Sequence, residues 1–437
     1  MNAKAGLLDF QKKASKYLTG GMSSSFRANH FSGIPMYVDK ARGPKFRDIS
    51  GKEYIDFFMC HGAVLLGHDR KEINDAIIKS LKRGYFAGFD SEETLEFSKK
   101  IIDIIPCAEQ LRFVNSGSEG TLLALRLARG YTGKDKIIRI DGHFHGVHDY
   151  VLANNLVTKI DLANDGTRIS KVVGRTAGIP DIVDKVMVTV PWNNIDTMEK
   201  VFKDQAGEIG GIIMNIIDYN NGCITTTKEY LQAVRNLADR YEVVLIFDEI
   251  LSGFKTGLSC GQGYYGVTPD ICTLGKALTN DVPLGVVAGK KEIMDKIMDP
   301  EDPVIAGGTF SGNQLGIAAG IASLNILSRQ NFYDEFLSRA EKFYTSLQEL
   351  FVNKNIPASV QYLGAGFSIY LGVEKQIKCY SEFKNLDPDL EREFFISCIE
   401  HGLYFHTDFT ISAAHDEVTL GNALDRFETV MNKLRRV

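Results

Sequence analysis

The middle of the chain alternates short apolar runs, bounded by turn residues, with stretches whose apolar positions recur at helical spacing. The apolar runs predict strands over 111–115 (LRFVN), 136–141 (KIIRID), 211–217 (GIIMNII), 243–248 (VVLIFD) and 284–289 (LGVVAG), and a further one leads through 270–274 into Gly275 and Lys276. Helical patterns cover 118–129, 228–241 and 314–329. This βαβ rhythm predicts an α/β fold whose large domain has a mostly parallel sheet with helices on both faces. The rhythm breaks towards both ends. There, hairpin-like pieces over 37–55 turn at Asp48-Ile-Ser-Gly51, and a closing helix starts at Asp416. The expected organisation is a large domain over 66–330 and a smaller α+β domain built from 1–65 and 331–437.

Composition narrows the class. The 437 residues are 44% hydrophobic and 24% charged, which suits a globular protein with a sizeable core. A net charge of -5 and a pI near 6.0 argue against a nucleic-acid surface. No apolar run reaches the roughly 18 residues of a membrane span, and the first residues read as an amphipathic helix without a signal-peptide core. Cysteines 60, 107, 223, 260, 272, 379 and 398 are scattered and never in C-x-x-C spacing, as in a reducing cytoplasm. A cytoplasmic enzyme or binding protein is expected.

In a parallel sheet ligands gather at the carboxyl ends of the strands, so chemistry is sought there. Asn115-Ser-Gly-Ser-Glu-Gly120 opens a helix and offers N–H groups, hydroxyls and a positive dipole end to an anion, although serine before a helix is also a plain cap. Gly142-His-Phe-His-Gly-Val-His148 has three readings. His143, His145 and His148 have the H-x-H-x-x-H spacing of zinc hydrolases, Phe144 could cover a planar cofactor with His145 beside it, or the histidines are simply solvated. Asp248-Glu249 ends a buried strand, where a carboxylate needs a cation or hydrogen-bond donors. It could face a pyridinium nitrogen, hold Mg²⁺, or cap the next helix. Lys276 follows another strand, where burial would favour its neutral, nucleophilic amine.

In this order the segments resemble the class III aminotransferases of pyridoxal-phosphate fold type I, nearest to the glutamate-1-semialdehyde aminomutase group. The resemblance rests on GGMSSSFRA (20–28), DISGKEYIDF (48–57), LLGH (65–68), the long run over 112–138, HFHG (143–146), LIFDEILSGFKTG (245–257), TLGK (273–276), GGTFSGN (307–313) and SAAHDE (412–417). It implies pyridoxal 5'-phosphate bound as a Schiff base on Lys276, with Asp248 on the pyridine nitrogen and Ser116, Gly117 and Ser118 around the phosphate. It also implies Phe144 stacked on the ring with His145 beside it, and Asn220 near the phenolic oxygen. Thr309 would reach the phosphate of a neighbouring subunit in a homodimer. Ser24 and Arg27 would hold a substrate carboxylate, and His61 would shape the side-chain pocket. The expected reaction is amino transfer between a small carboxylate-bearing donor and an oxo acceptor, with a 2,1-aminomutase as the alternative and a metallohydrolase as the reading from another class.

The pattern departs from relatives mainly on the substrate side. Asn215-Ile216 stands for Glu-Pro, His61 for the aminomutase Trp, Lys255 for Arg, Thr279-Asn280-Asp281 for a glycine run and Asn313-Gln314 for NP. The acidic substrate-site residue of the aminomutases is not read from 405–409 (FHTDF).

Overall fold

The computed structural model describes residues 3–152, 176–205, 207–406 and 408–434. By internal contacts the chain divides into two compact units. The first comprises Met1–Lys71, Asp334–Gln376 and Asn385–Val437; the second comprises Glu72–Tyr333 and Ile377–Lys384.

The first unit opens on the helix Ala3–Ala14, followed by an antiparallel meander of β1 (Val38–Arg42), β2 (Lys45–Asp48) and β3 (Glu53–Asp56). Asp48 makes the expected turn between β2 and β3. Its Oδ1 accepts the N–H groups of Ser50 (2.8 Å) and Lys52 (3.0 Å), the usual reason for Asp at a turn.

The second unit is built on one seven-stranded sheet: β4 (Gln110–Val114), β5 (Lys136–Ile140), β6 (Met187–Val190), β7 (Ile209–Met214), β8 (Val244–Asp248), β9 (Ile271–Leu274) and β10 (Gly285–Gly289). Their order is β4-β10-β9-β8-β7-β5-β6. The five strands from β5 to β9 pair in parallel, and β7 and β8 are buried along their whole length, which is why they read as unbroken apolar runs. β10 runs antiparallel to both β9 and β4. The link over 275–284 that carries Lys276 is shorter than a crossover connection requires, so the chain must reverse. The expected strand over 211–217 ends early, at Met214, because Asn215 leaves the ladder and donates its N–H to His143 Nδ1 (3.0 Å).

The chain completes the first unit with the hairpin β11 (Ala358–Leu363) and β12 (Gly366–Leu371), with β13 (Leu403–Tyr404) parallel to β3, and with β14 (Phe409–Thr410) against β12. Its core is aromatic: Phe57 stacks on Phe405 at 5.0 Å and on His415 at 5.2 Å. The closing helix Glu417–Met431 is capped by Asp416, whose carboxylate accepts Thr419 N–H (2.8 Å). Among the described residues no helix is long and apolar enough to cross a membrane.

Candidate active site

In the second unit, the helix start over 115–121, the loop over 142–148 and Asp248 are tied together by hydrogen bonds. The helix Gly117–Thr132 starts behind β4 with Ser116 as its cap, accepting Glu119 N–H at 3.2 Å. Glu119 Oε2 in turn accepts Asn115 N–H at 2.8 Å. Gly117 and Ser118 lie in the first turn, where N–H groups have no intrahelical acceptor and the helix dipole favours an anion.

The loop after β5 is pinned onto this helix start. Thr121 Oγ1 donates to the His145 carbonyl (2.6 Å), and Val147 N–H donates to Ser118 Oγ (3.0 Å). Gly146 has φ +109°, and a Cβ there would overlap Ser118, so only glycine lets the two segments meet. Phe144 is held through its carbonyl, which accepts from Asn215 Nδ2 at 3.4 Å. Asn215 thus secures the ring-bearing loop.

Asp248 ends β8 almost sealed from solvent. Its Oδ2 meets His145 Nδ1 at 2.8 Å, and its Oδ1 accepts from Thr273 Oγ1 (2.8 Å) and Ile250 N–H (3.1 Å). Thr273 is Asp248's partner across the β8–β9 ladder. Lys276, three residues further on, opens a short 3-10 turn in the left-handed region at φ +48°. The neighbouring Glu249 turns the other way. Its carboxylate accepts Gly261 N–H (2.6 Å) and two donors of Gln262, and burial pushes its pKa up to about 7.

The three histidines do not converge as metal ligands. His143 Nδ1 accepts from Asn215 N–H, His145 Nδ1 serves Asp248, and His148 Nε2 meets Thr121 Oγ1 at 3.2 Å. Burial pushes His143 well below the usual imidazole range and His148 down to about 4, so both are neutral near pH 7. Asn220 sits in the turn after β7, and Thr309 is exposed on the loop before the helix Gln314–Leu327.

The first unit gathers the other expected residues. Ser24 caps a short turn, accepting Phe26 N–H at 3.4 Å, and exposed Arg27 ends that turn. The next carbonyl, that of Ala28, accepts from His406 Nε2 (2.9 Å), and Asn29 Nδ2 donates to Phe405 O (2.6 Å). His406 and His61 meet edge to face at 5.2 Å. His61 belongs to a single left-handed turn in which Met59, Cys60 and His61 have φ of 45°, 54° and 55°. Its Nδ1 lies 2.9 Å from Oδ1 of the fully buried Asp408. The stretch 405–409 does contain an acidic residue, Asp408, but its linear pattern did not mark it as a site residue; the fold brings it to His61.

Sequence reasoning passed over Thr121, Thr273, Asp218, Tyr380 and Asp408. Thr273 was open to discovery, because a hydroxyl on an otherwise apolar strand beside Asp248 needs an acceptor. The others act through contacts distant in sequence.

The aminotransferase class-III family model matches residues 26–416. The chain belongs to the class III aminotransferases. Within that family it is 34% identical to a glutamate-1-semialdehyde 2,1-aminomutase of Persephonella marina, covering 98% of each chain, and 36% identical to that of Methanococcus vannielii, covering 99% and 98%. Among solved structures it is similar to an omega-transaminase from Sphaerobacter thermophilus, with a TM-score of 0.89 at 25% identity over 98% of this chain and 97% of the other. It shares the fold of a glutamate-1-semialdehyde aminomutase from Pseudomonas aeruginosa, with a TM-score of 0.87 at 18% identity over 99% and 95%.

Class III aminotransferases are pyridoxal-phosphate enzymes, and the donor set fits that group. It comprises an N–H-rich helix start, a carboxylate held from both sides, a lysine at the end of the adjacent strand, and an aromatic residue on the loop between them.

Proposed function

We propose that this enzyme moves an amino group between adjacent carbons of one carboxylate-bearing substrate, as a 2,1-aminomutase of the glutamate-1-semialdehyde type. The observation that carries this reading is the near full-length similarity to proteins of that name. In this reading Lys276 anchors the cofactor, and Ser116, Gly117 and Ser118 bind its phosphate. Phe144 covers the ring, Asn220 faces the phenolic oxygen, and Asp248 keeps the ring nitrogen protonated, oriented by His145 and Thr273. Bound pyridoxal phosphate supplies the electron sink for the charge left when a substrate carbon loses its proton. The amine of Lys276 would hold and move that proton at the substrate carbon. Arg27 and Ser24 take the substrate carboxylate, for which a guanidinium fork is suited, and His61 borders the rest of the substrate.

The site is proposed to be completed in a homodimer, with Thr309 binding the phosphate of the neighbouring subunit. Ile305 and Phe310, beside Thr309, are 71% and 55% exposed, apolar surface that a second subunit would cover.

A second reading, exchange between a separate amino donor and oxo acceptor, is favoured by the His61–Asp408 pair at a position where the aminomutase group has an indole. Glutamate-1-semialdehyde supplied alone separates the two. Sustained formation of 5-amino-4-oxopentanoate without any second amine or oxo compound supports the mutase. Turnover only when a separate oxo acceptor is added would replace it with the transaminase.

A further inference from the structure

Beyond the residues that would touch the cofactor, the second unit contains a buried polar cluster that joins the two loops bearing Phe144 and Asn220. Asp218 sits at the end of the segment leaving β7, wholly buried. Its backbone is fixed by reciprocal bonds with Ile224, Asp218 N–H to Ile224 O and Ile224 N–H to Asp218 O, both 3.0 Å. These close the turn over 219–223, which contains Asn220. The Asp218 carboxylate accepts from Tyr380 Oη, from Asn221 Nδ2 (3.0 Å) and from Asn221 N–H (3.3 Å). Asn221 Nδ2 also reaches the Gly142 carbonyl at 2.9 Å, one residue before the HFHG loop.

Tyr380 comes from Ile377–Lys384, a short segment grouped with the second unit although the first unit supplies the chain on both sides of it. Asn193 Nδ2 anchors that segment through Lys378 O and reaches Thr225 O, each at 3.0 Å. The Tyr380 ring lies against Gly142, where φ is +77° and a Cβ would come within 2.5 Å of Tyr380 Cζ. One side chain thus packs on the start of the Phe144 loop and hydrogen-bonds the carboxylate beneath the Asn220 turn. Burial raises the pKa of Asp218, and the hydrogen bonds from Tyr380 and Asn221 act against that rise by favouring the charged form. A buried carboxylate with these donors is stable; deprived of the phenol it loses a charge-assisted hydrogen bond in a site with no water-facing alternative.

We propose that Tyr380 is a positioning residue that, through Asp218 and Asn221, fixes the Phe144 loop and the Asn220 turn relative to each other, and so sets how tightly and in what electronic state the cofactor ring is held. The proposal rests on the assignment of Phe144 and Asn220 to the cofactor. Its chemistry is selective: the phenolic hydroxyl matters through Asp218, whereas the ring matters through Gly142.

The test compares Tyr380→Phe, Asn221→Ala and Asn220→Ala with the parent enzyme. The readouts are the dissociation constant of pyridoxal phosphate, measured by titrating the cofactor-depleted protein, and the visible absorbance band of the holoenzyme. Tyr380→Phe keeps the ring and is expected to weaken cofactor binding about tenfold, the scale of losing one hydrogen bond to a charged group, and to shift the band. Asn221→Ala, which cuts the link to Gly142 and leaves the phenol in place, should do the same to a smaller degree. Melting temperatures of the cofactor-depleted proteins identify a merely structural role. If Tyr380→Phe and Asn221→Ala lower the melting temperature but leave both affinity and band unchanged, while Asn220→Ala moves the band, the positioning role is overturned. If Asn220→Ala leaves the band unmoved, the assignment of Asn220 is what fails. Should Tyr380→Phe not fold, Asn221→Ala decides by the same two readouts.

Discussion

His145 Nδ1 lies 2.8 Å from Asp248 Oδ2, with both side chains shut away from solvent. Because Thr273 occupies the other carboxylate oxygen, Asp248 is fixed in one orientation at the end of β8. If Asp248 faces the pyridine nitrogen as proposed, a neutral amide there cannot keep that nitrogen protonated. Asp248→Asn should therefore fold normally and lose roughly 3–4 kcal/mol of transition-state stabilisation, about two to three decades in turnover. Steady-state rates on the purified variant check this, and unchanged turnover would mean that the essential carboxylate lies elsewhere.

Subunit mixing tests the proposed sharing of the site between two subunits. Thr309→Ala should weaken cofactor retention, and Lys276→Ala should abolish covalent attachment, so each homodimer is impaired. In a mixed dimer with composite sites, one site inherits both lesions and the other inherits neither. The mixed dimer, purified after co-refolding, should therefore show about half of normal activity. No recovery, or a fully active monomer on a sizing column, would remove Thr309 from the partner's site.

Arg27 is exposed at the end of its turn. If it binds substrate, Arg27→Ala should raise KM for carboxylate-bearing substrates by the equivalent of about 1.5–3 kcal/mol, the range for a charge-assisted hydrogen bond. Amines without a carboxylate should be nearly unaffected, and Arg27→Lys should recover binding only in part because the fork is lost. An equal loss for both kinds of amine would make Arg27 a structural residue.

Acid stability should depend on His415. It is completely buried, its Nδ1 accepts Ser412 N–H at 3.0 Å, and burial pushes its pKa down to about 4. The folded value lies below the unfolded one, so the neutral ring contributes stability above pH 6.5 that disappears as pH falls through 4. Between pH 7 and 4.5 this single group accounts for a loss on the order of 2–3 kcal/mol. His415→Phe, which keeps the stacking on Phe57, should be less stable than the parent at pH 7 but lose less on acidification. Urea unfolding at the two pH values measures the difference, and parallel losses would place the acid sensitivity at other groups.

The fold class could be read from the sequence because β7 and β8 are covered on both faces and cannot afford polar positions. β10 looked like another member of the parallel series, since an apolar run carries no record of direction. Its reversal follows from the short link through Lys276, which is a matter of chain length and not of residue type. On the site, Asp248 and Lys276 were visible because a carboxylate and an amine at the ends of apolar strands contradict their surroundings. Asp408 was invisible for the opposite reason. It sits in a short mixed segment, and only the pairing of β13 with β3 and of β14 with β12 brings it to His61. Tyr380 was hidden in the same way, more than a hundred residues from the carboxylate it serves.

The left-handed turn at Met59, Cys60 and His61 has a consequence for how this sequence can change. Each of these residues sits where an L side chain costs roughly 1–2 kcal/mol, so glycine at Cys60 would relieve the backbone and raise the melting point. The same relief would free the arc that aims His61 at Asp408. If His61 borders the substrate as proposed, selection for robustness and selection for substrate choice pull this short arc in opposite directions. A lineage that drifts to glycine there should be hardier and less discriminating.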